Sequence, residues 1–285
     1  AAAQASLAQL PTDYPISSAT VFWYIIEAEA AAAEGKVVDA QRFVIDLADR
    51  FPDSEYAPYA LYSAASYAER RGSDGQYYER ANRILERLVS KYPDHPIVFY
   101  ARLKQGNLLR LMNEYGRAST LYHALVNSYP FPRFADGLSA QIALADTEKS
   151  LSASDPARAS NAAAIYELLY DMQAAPVDLR VEAGHKLGLY REDSETPKRA
   201  YDIWWPMIEA WVLDDAKAAK LGANGRYWMA RTMVKLAELQ ERQNKPQEAR
   251  RLYELILEKN IPATAHAREG LARTGGRPRP EPASP

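Results

Sequence analysis

The 285-residue chain contains no cysteine. That excludes disulfides, thiolate metal sites and a cysteine nucleophile. It leaves the compartment open, since a cysteine-free chain suits both the cytosol and an oxidising periplasm. Basic residues are not in excess: 35 lysines and arginines face 37 aspartates and glutamates, for a net charge of -2. A nucleic-acid footprint needs a basic surplus, so nucleic acid is not an expected partner. No apolar run approaches the roughly 20 residues that a membrane-spanning helix requires. Runs of alternating β-branched residues are missing too, which argues against a sheet. There is no Gly-rich phosphate loop and no Gly-x-Ser-x-Gly elbow.

What the chain does have is enough apolar residue, 47%, to bury a core. Its length exceeds one ordinary core, so it must be two domains or an extended array. A spacing decides for the array. Ala40, Ala81, Ala118 and Ala164 are each followed twelve residues later by a proline: Pro52, Pro93, Pro130 and Pro176. In the first three units an aromatic residue precedes the proline, as Phe51, Tyr92 and Tyr129.

The punctuation predicts six helix pairs. Gly35, Gly72 and Gly116 fall where first helices would stop. Pro96, Pro156, Pro197 and Pro246 fall where helices would begin, with Asp155 and Thr196 placed to cap two of them. The expected pairs are 18–34 with 37–50, 58–71 with 77–90, and 97–112 with 115–128. They continue as 134–150 with 156–173, 177–191 with 197–211, and 224–243 with 246–258. A last helix over 262–273 closes the array. Residues 1–16 read as a flexible lead-in, 17–273 as the repeat domain and 274–285 as a disordered proline-rich tail. The chain opens on Ala1-Ala2-Ala3-Gln4-Ala5 without a methionine, as a processed export product or a trimmed chain would.

This pattern resembles the tetratricopeptide repeat family. Leu187-Gly188 is followed by Ala200 and Trp204; Gly106 by Ala118, Tyr122 and Pro130; and Ala249 by Tyr253. The resemblance implies an all-α, right-handed α-solenoid of about six helix pairs plus a C-terminal capping helix. The repeats are longer than the family's usual length of about 34 residues. Part of the excess follows the proline, in Asp53-Ser54-Glu55 and Asp94-His95. Aromatic-Pro-Asp followed by Tyr59-Ala60-Leu61-Tyr62 resembles the bacterial cell-envelope branch of the family. That branch implies a periplasmic or cell-envelope location, with the cytoplasm as the alternative.

No catalytic constellation is legible. His95, His123, His185 and His266 are scattered and read as surface or loop histidines, so no metal site is expected. Glu192-Asp193 and Asp214-Asp215 read as solvated turn residues. The expectation is a non-catalytic scaffold without cofactor, binding a protein or peptide in a concave groove lined by first helices. The alternative is the helical part of a larger envelope enzyme, such as a peptidoglycan hydrolase. The expected partner-binding residues are Tyr59, Tyr62, Tyr100, Lys104, Asn107 and Arg110. Lys104, Asn107 and Arg110 share one helical stripe. Family members that grip a peptide's terminal carboxylate use lysine, asparagine and arginine. Asn107 falls at the matching asparagine, but Leu103 stands at the lysine position, so that clamp is incomplete. The cluster Trp204, Trp205, Trp211 and Trp228 reads either as packing between repeats or as aromatic anchors.

Overall fold

The computed structural model describes residues 9–14, 17–128, 134–194 and 196–275. Residues 1–8, 15–16 and 276–285, which hold most of the expected lead-in and tail, lie outside them. Residues 9–13 form a helical turn, and the Thr20 hydroxyl donates to the Tyr14 carbonyl at 2.5 Å.

The fold is all-α, and no strand occurs among the described residues. The chain divides into two compact units, Ala1–Pro130 and Phe131–Pro285. Unit 1 holds α1 (Ser18–Ala33), α2 (Val37–Arg50), α3 (Ala57–Glu69), α4 (Gly75–Lys91), α5 (Ile97–Leu111) and α6 (Tyr115–Ser128). Each helix packs on the next, so the unit is a stack of three antiparallel pairs. Unit 2 holds α7 (Phe134–Leu151), α8 (Ala157–Asp171), α9 (Val177–Ser194) and α10 (Pro197–Ile208). A π-helical turn over Glu209–Leu213 and a short α11 (Asp215–Ala218) follow. Then come α12 (Ala223–Arg242), α13 (Pro246–Glu258) and α14 (Thr264–Arg273). The pairs there are α7 with α8, α9 with α10 and α12 with α13, and α14 packs on α13.

A small residue on the first helix receives a large one from the second. A Cβ on Gly106 would come 2.4 Å from the Tyr122 ring, and one on Gly188 would come 2.0 Å from Trp204 Nε1. Neither position tolerates a side chain without moving the partner. Ala118 and Ala200, twelve residues after these glycines, are wholly buried at the same crossings. The aromatic before the proline has its own task. Tyr92 donates its hydroxyl to the Pro52 carbonyl at 2.7 Å, tying one aromatic-Pro step to the next.

Several expectations need correction. Ala164, the fourth alanine of the alanine-to-proline spacing, is exposed. The buried crossing residue of that pair is Ala162, with Tyr166 four residues on filling the gap. The run Ala162-Ala163-Ala164 offered three candidates, and only packing chooses among them. Gly35 does take the left-handed turn, at φ 78°. Gly116 instead lies inside α6, and Asn113, at φ 61°, makes that bend. Asn244 and Asn260 do the same at later helix ends, as asparagine tolerates this region better than most residues. Asp155 caps the Ala157 amide at 3.1 Å, but Thr196 makes no side-chain cap bond. Pro206 sits inside α10, and the helix widens into the π-helical turn one residue after Ile208.

Candidate partner-binding surfaces

In unit 1 the first helices α3 and α5 carry the six expected residues. Packing between pairs holds these side chains in place. The Lys104 ammonium pairs with Glu69 at 2.5 Å and lies 5.9 Å from the Tyr62 ring centre. It thus links α5 back to α3. The Tyr59 ring meets His95 edge-on at 5.1 Å, and half of Tyr59 stays open to solvent. Tyr100 contacts Phe99 at 5.4 Å. Asn107 is exposed, and its side-chain oxygen accepts the Tyr122 hydroxyl at 2.6 Å. Arg110 is half-buried in the last turn of α5. Tyr62 and Lys104 are therefore brought together, while Asn107 is held by the second helix of its own pair.

The opposite face of α5 carries a feature the sequence did not reveal. A cleft of about 620 Å³ lies between α4, α5 and α6. Val98, Arg102, Gln105 and Leu109 form its α5 side, and Asn82, Glu86 and Val89 its α4 side. Gln105 is buried and satisfied: it donates to Asn82 Oδ1 at 3.1 Å and accepts from Arg102 at 3.0 Å. At 100° per residue these positions lie across the helix from Tyr100, Lys104 and Asn107. No residue-type signal marks such a cleft, because its walls are ordinary amphipathic faces.

In unit 2 the polar cluster is different in kind. Lys186 reaches Asp146 at 2.8 Å and Glu182 at 2.7 Å. Tyr166 donates to Asp146 at 2.7 Å, and Asn224 donates to Glu182 at 3.4 Å. The network joins α7, α8, α9 and α12. Beside it, Trp228 lies under two cations, Lys186 at 5.0 Å and Arg231 at 5.6 Å. His185 is 1% exposed and is not the surface histidine expected. Its Nδ1 lies 3.1 Å from the Thr232 hydroxyl. Burial, then the nearby Arg231, Lys186 and Lys235, push its pKa down to about 3. Trp204 is wholly buried and Trp211 nearly so, both in a core shared by α9, α10 and α12; Trp205 stacks on Tyr201 at 6.0 Å.

Residues 59–95, 100–131 and 231–260 match the tetratricopeptide repeat family. These stretches are tetratricopeptide repeats. The same fold recurs in solved structures of low sequence identity. BtubC from P. vanneervenii aligns at TM-score 0.55 and 12% identity, over 92% of this chain and 96% of that one. MamA from Desulfovibrio magneticus RS-1 aligns at 0.52 and 17%, over 69% and 97%. A tetratricopeptide repeat protein from Parabacteroides merdae aligns at 0.50 and 12%, over 90% and 99%. No curated protein sequence matches. These likenesses establish the helix-pair fold. Among the described residues no group of three or more histidines and carboxylates could hold a metal ion. No helix there is long and apolar enough to cross a membrane.

Proposed function

We propose that the chain is a non-catalytic scaffold that binds a peptide or partner domain on the first-helix face of its repeats. One observation carries this reading. Tyr59, Tyr62 and Lys104 sit on α3 and α5 with their side chains fixed by neighbours yet open to solvent on one side. Pre-ordered aromatic side chains lose little freedom on binding, which is why they serve as anchors. The binding set is Tyr59, Tyr62, Tyr100, Lys104, Asn107 and Arg110. The net charge of -2 disfavours nucleic acid as the partner.

Panning a random dodecapeptide library on the purified chain tests the reading. Enriched peptides should lose at least tenfold in affinity when all six residues are changed to alanine, with helical circular dichroism unchanged. Binding that survives the sextuple variant, or a library that yields no binder, would sink it.

The process served is bacterial cell-envelope assembly, in the periplasm. The support is the aromatic-Pro-Asp step at Phe51-Pro52-Asp53 and Tyr92-Pro93-Asp94, a pattern resembling envelope-type repeats. Fractionation of cells expressing the whole gene product should place it in the periplasm or envelope. Recovery in the cytosol alone would overturn this placement.

A further inference from the structure

One position of the repeat is aromatic in every pair of unit 1. Phe22, Tyr59 and Tyr100 each stand six residues before the buried small residue of their first helix, Ala28, Ala65 and Gly106. The repeat therefore sets one ring near the start of each of α1, α3 and α5. Two of these rings bridge to the entrance of the following pair. Phe22 meets Tyr56 edge-on at 5.3 Å, as Tyr59 meets His95 at 5.1 Å. Each contact uses one side of a ring, and Phe22 and Tyr59 remain 47% and 49% exposed. Ile26, one turn beyond Phe22, is 51% exposed.

The segments that carry the first two rings, Phe22 and Tyr59, hold charge of one sign, whereas α5, which carries Tyr100, is basic. Residues 1–35 contain no lysine or arginine, and neither do residues 51–69. The same stretches carry Asp13, Glu27, Glu29, Glu34, Asp53, Glu55 and Glu69. Asp94 adds a carboxylate at the entrance to α5. The basic residues of the first two pairs lie instead in the joins and on the second helices, among them Lys36, Arg42, Arg80 and Arg87. Of the carboxylates, Glu34 pairs with Lys36 and Glu69 with Lys104. Exposed rings in stretches that otherwise carry only acidic charge fit a cation with a flat apolar surface.

We infer that this column binds an extended, arginine-rich peptide segment, a deepening that rests on the scaffold reading above. A guanidinium stacks on an aromatic face and pairs with a carboxylate at the same time. An ammonium does the second well and the first less well. An extended chain advances about 3.3 Å per residue. Arginine at every third position presents a guanidinium about every 10 Å along such a segment.

The probe is a dodecapeptide of four Arg-Ser-Ser units, with Lys-Ser-Ser and Glu-Ser-Ser versions for comparison, read by fluorescence anisotropy. The arginine peptide should bind more tightly than the lysine peptide, and the glutamate peptide should not bind. Phe22→Leu and Tyr59→Leu keep apolar bulk but remove the π face. Each should weaken the arginine peptide about two- to fivefold, and the pair about tenfold, with an unchanged melting curve. Asp53→Asn with Glu55→Gln should flatten the dependence of affinity on salt. Equal binding of the arginine and glutamate peptides would overturn the inference. So would arginine-peptide binding that ignores both ring changes, since that is diffuse charge attraction. If panned peptides bind the six-residue face but none is basic, this inference fails and the scaffold reading stands. If neither panned nor arginine peptides bind, both fail.

Discussion

The Trp204 indole donates to the backbone carbonyl of His185, 3.2 Å away, while its ring occupies the notch opposite Gly188. One side chain thus closes the α9–α10 crossing by both volume and hydrogen bond. Gly188→Ala should destabilise the protein by about 2–4 kcal/mol, because the added carbon overlaps a ring with no room to withdraw. Gly106→Ala, against Tyr122, should act in the same direction. Gly116→Ala should do the opposite. A Cβ there meets nothing within 4 Å and Gly116 is helical, so the change should add about 0.5–1 kcal/mol. Urea denaturation of the three variants checks the contrast in sign.

His185 gives stability a pH dependence. Its folded pKa, about 3, lies below the ordinary value of 6.5. Between these values the unfolded chain binds a proton that the folded chain does not. Stability contributed by neutral His185 is therefore full above pH 6.5 and falls as pH drops, levelling near pH 3. From pH 7 to pH 5 the loss should be about 2 kcal/mol. His185→Gln should remove that slope. Parallel slopes for the variant and the parent chain would contradict the assignment.

Lys186 is the hub of the ion-pair network in unit 2, with its side chain 13% exposed. Lys186→Ala should cost about 2–3 kcal/mol, since it leaves Asp146 and Glu182 facing each other without their shared cation. Lys186→Ala combined with Asp146→Asn should cost less than the two single changes summed. A double-mutant cycle with zero coupling would show that the network contributes nothing.

The terminal helix α14 is held by packing more than by charge. Leu271 is buried, and Gly270 lies beneath the Tyr253 ring. Arg273 pairs with Glu241 at 3.2 Å but its side chain is half exposed. Burial alone would raise the Glu241 pKa; hydrogen bonds from Arg273 and Tyr253 outweigh it and hold it low. Leu271→Ala should cost about 2–3 kcal/mol and Arg273→Ala under about 1. Thermal melts of the two variants should rank them in that order.

The helix pairs were legible because their signals are local. Proline at a first turn and a small residue at a crossing act through a few neighbouring atoms, and these placed the helix boundaries within a few residues. The failures share a cause. Asn113 rather than Gly116 makes a bend, and Ala162 rather than Ala164 makes a crossing. In both cases several residues satisfied the local rule and tertiary packing selected one. His185 was misread for the same reason: its burial is set by α10 and α12, not by its sequence neighbours. Among the candidate binding residues, tyrosine and lysine announced themselves by type. Phe22 did not, because its significance lies in sharing a repeat phase with Tyr59 and Tyr100.

The hydrogen bond between Tyr122 and Asn107 fixes more than a rotamer. The tyrosine hydroxyl occupies the amide oxygen, so the nitrogen end of Asn107 is the end left to address solvent. At that point the repeat offers two N–H donors and a single lone pair. Were a segment to cross α5 there, as proposed above, a carbonyl or carboxylate oxygen turned toward the helix would satisfy those donors. Such a contact would fix which edge of a bound backbone faces the protein.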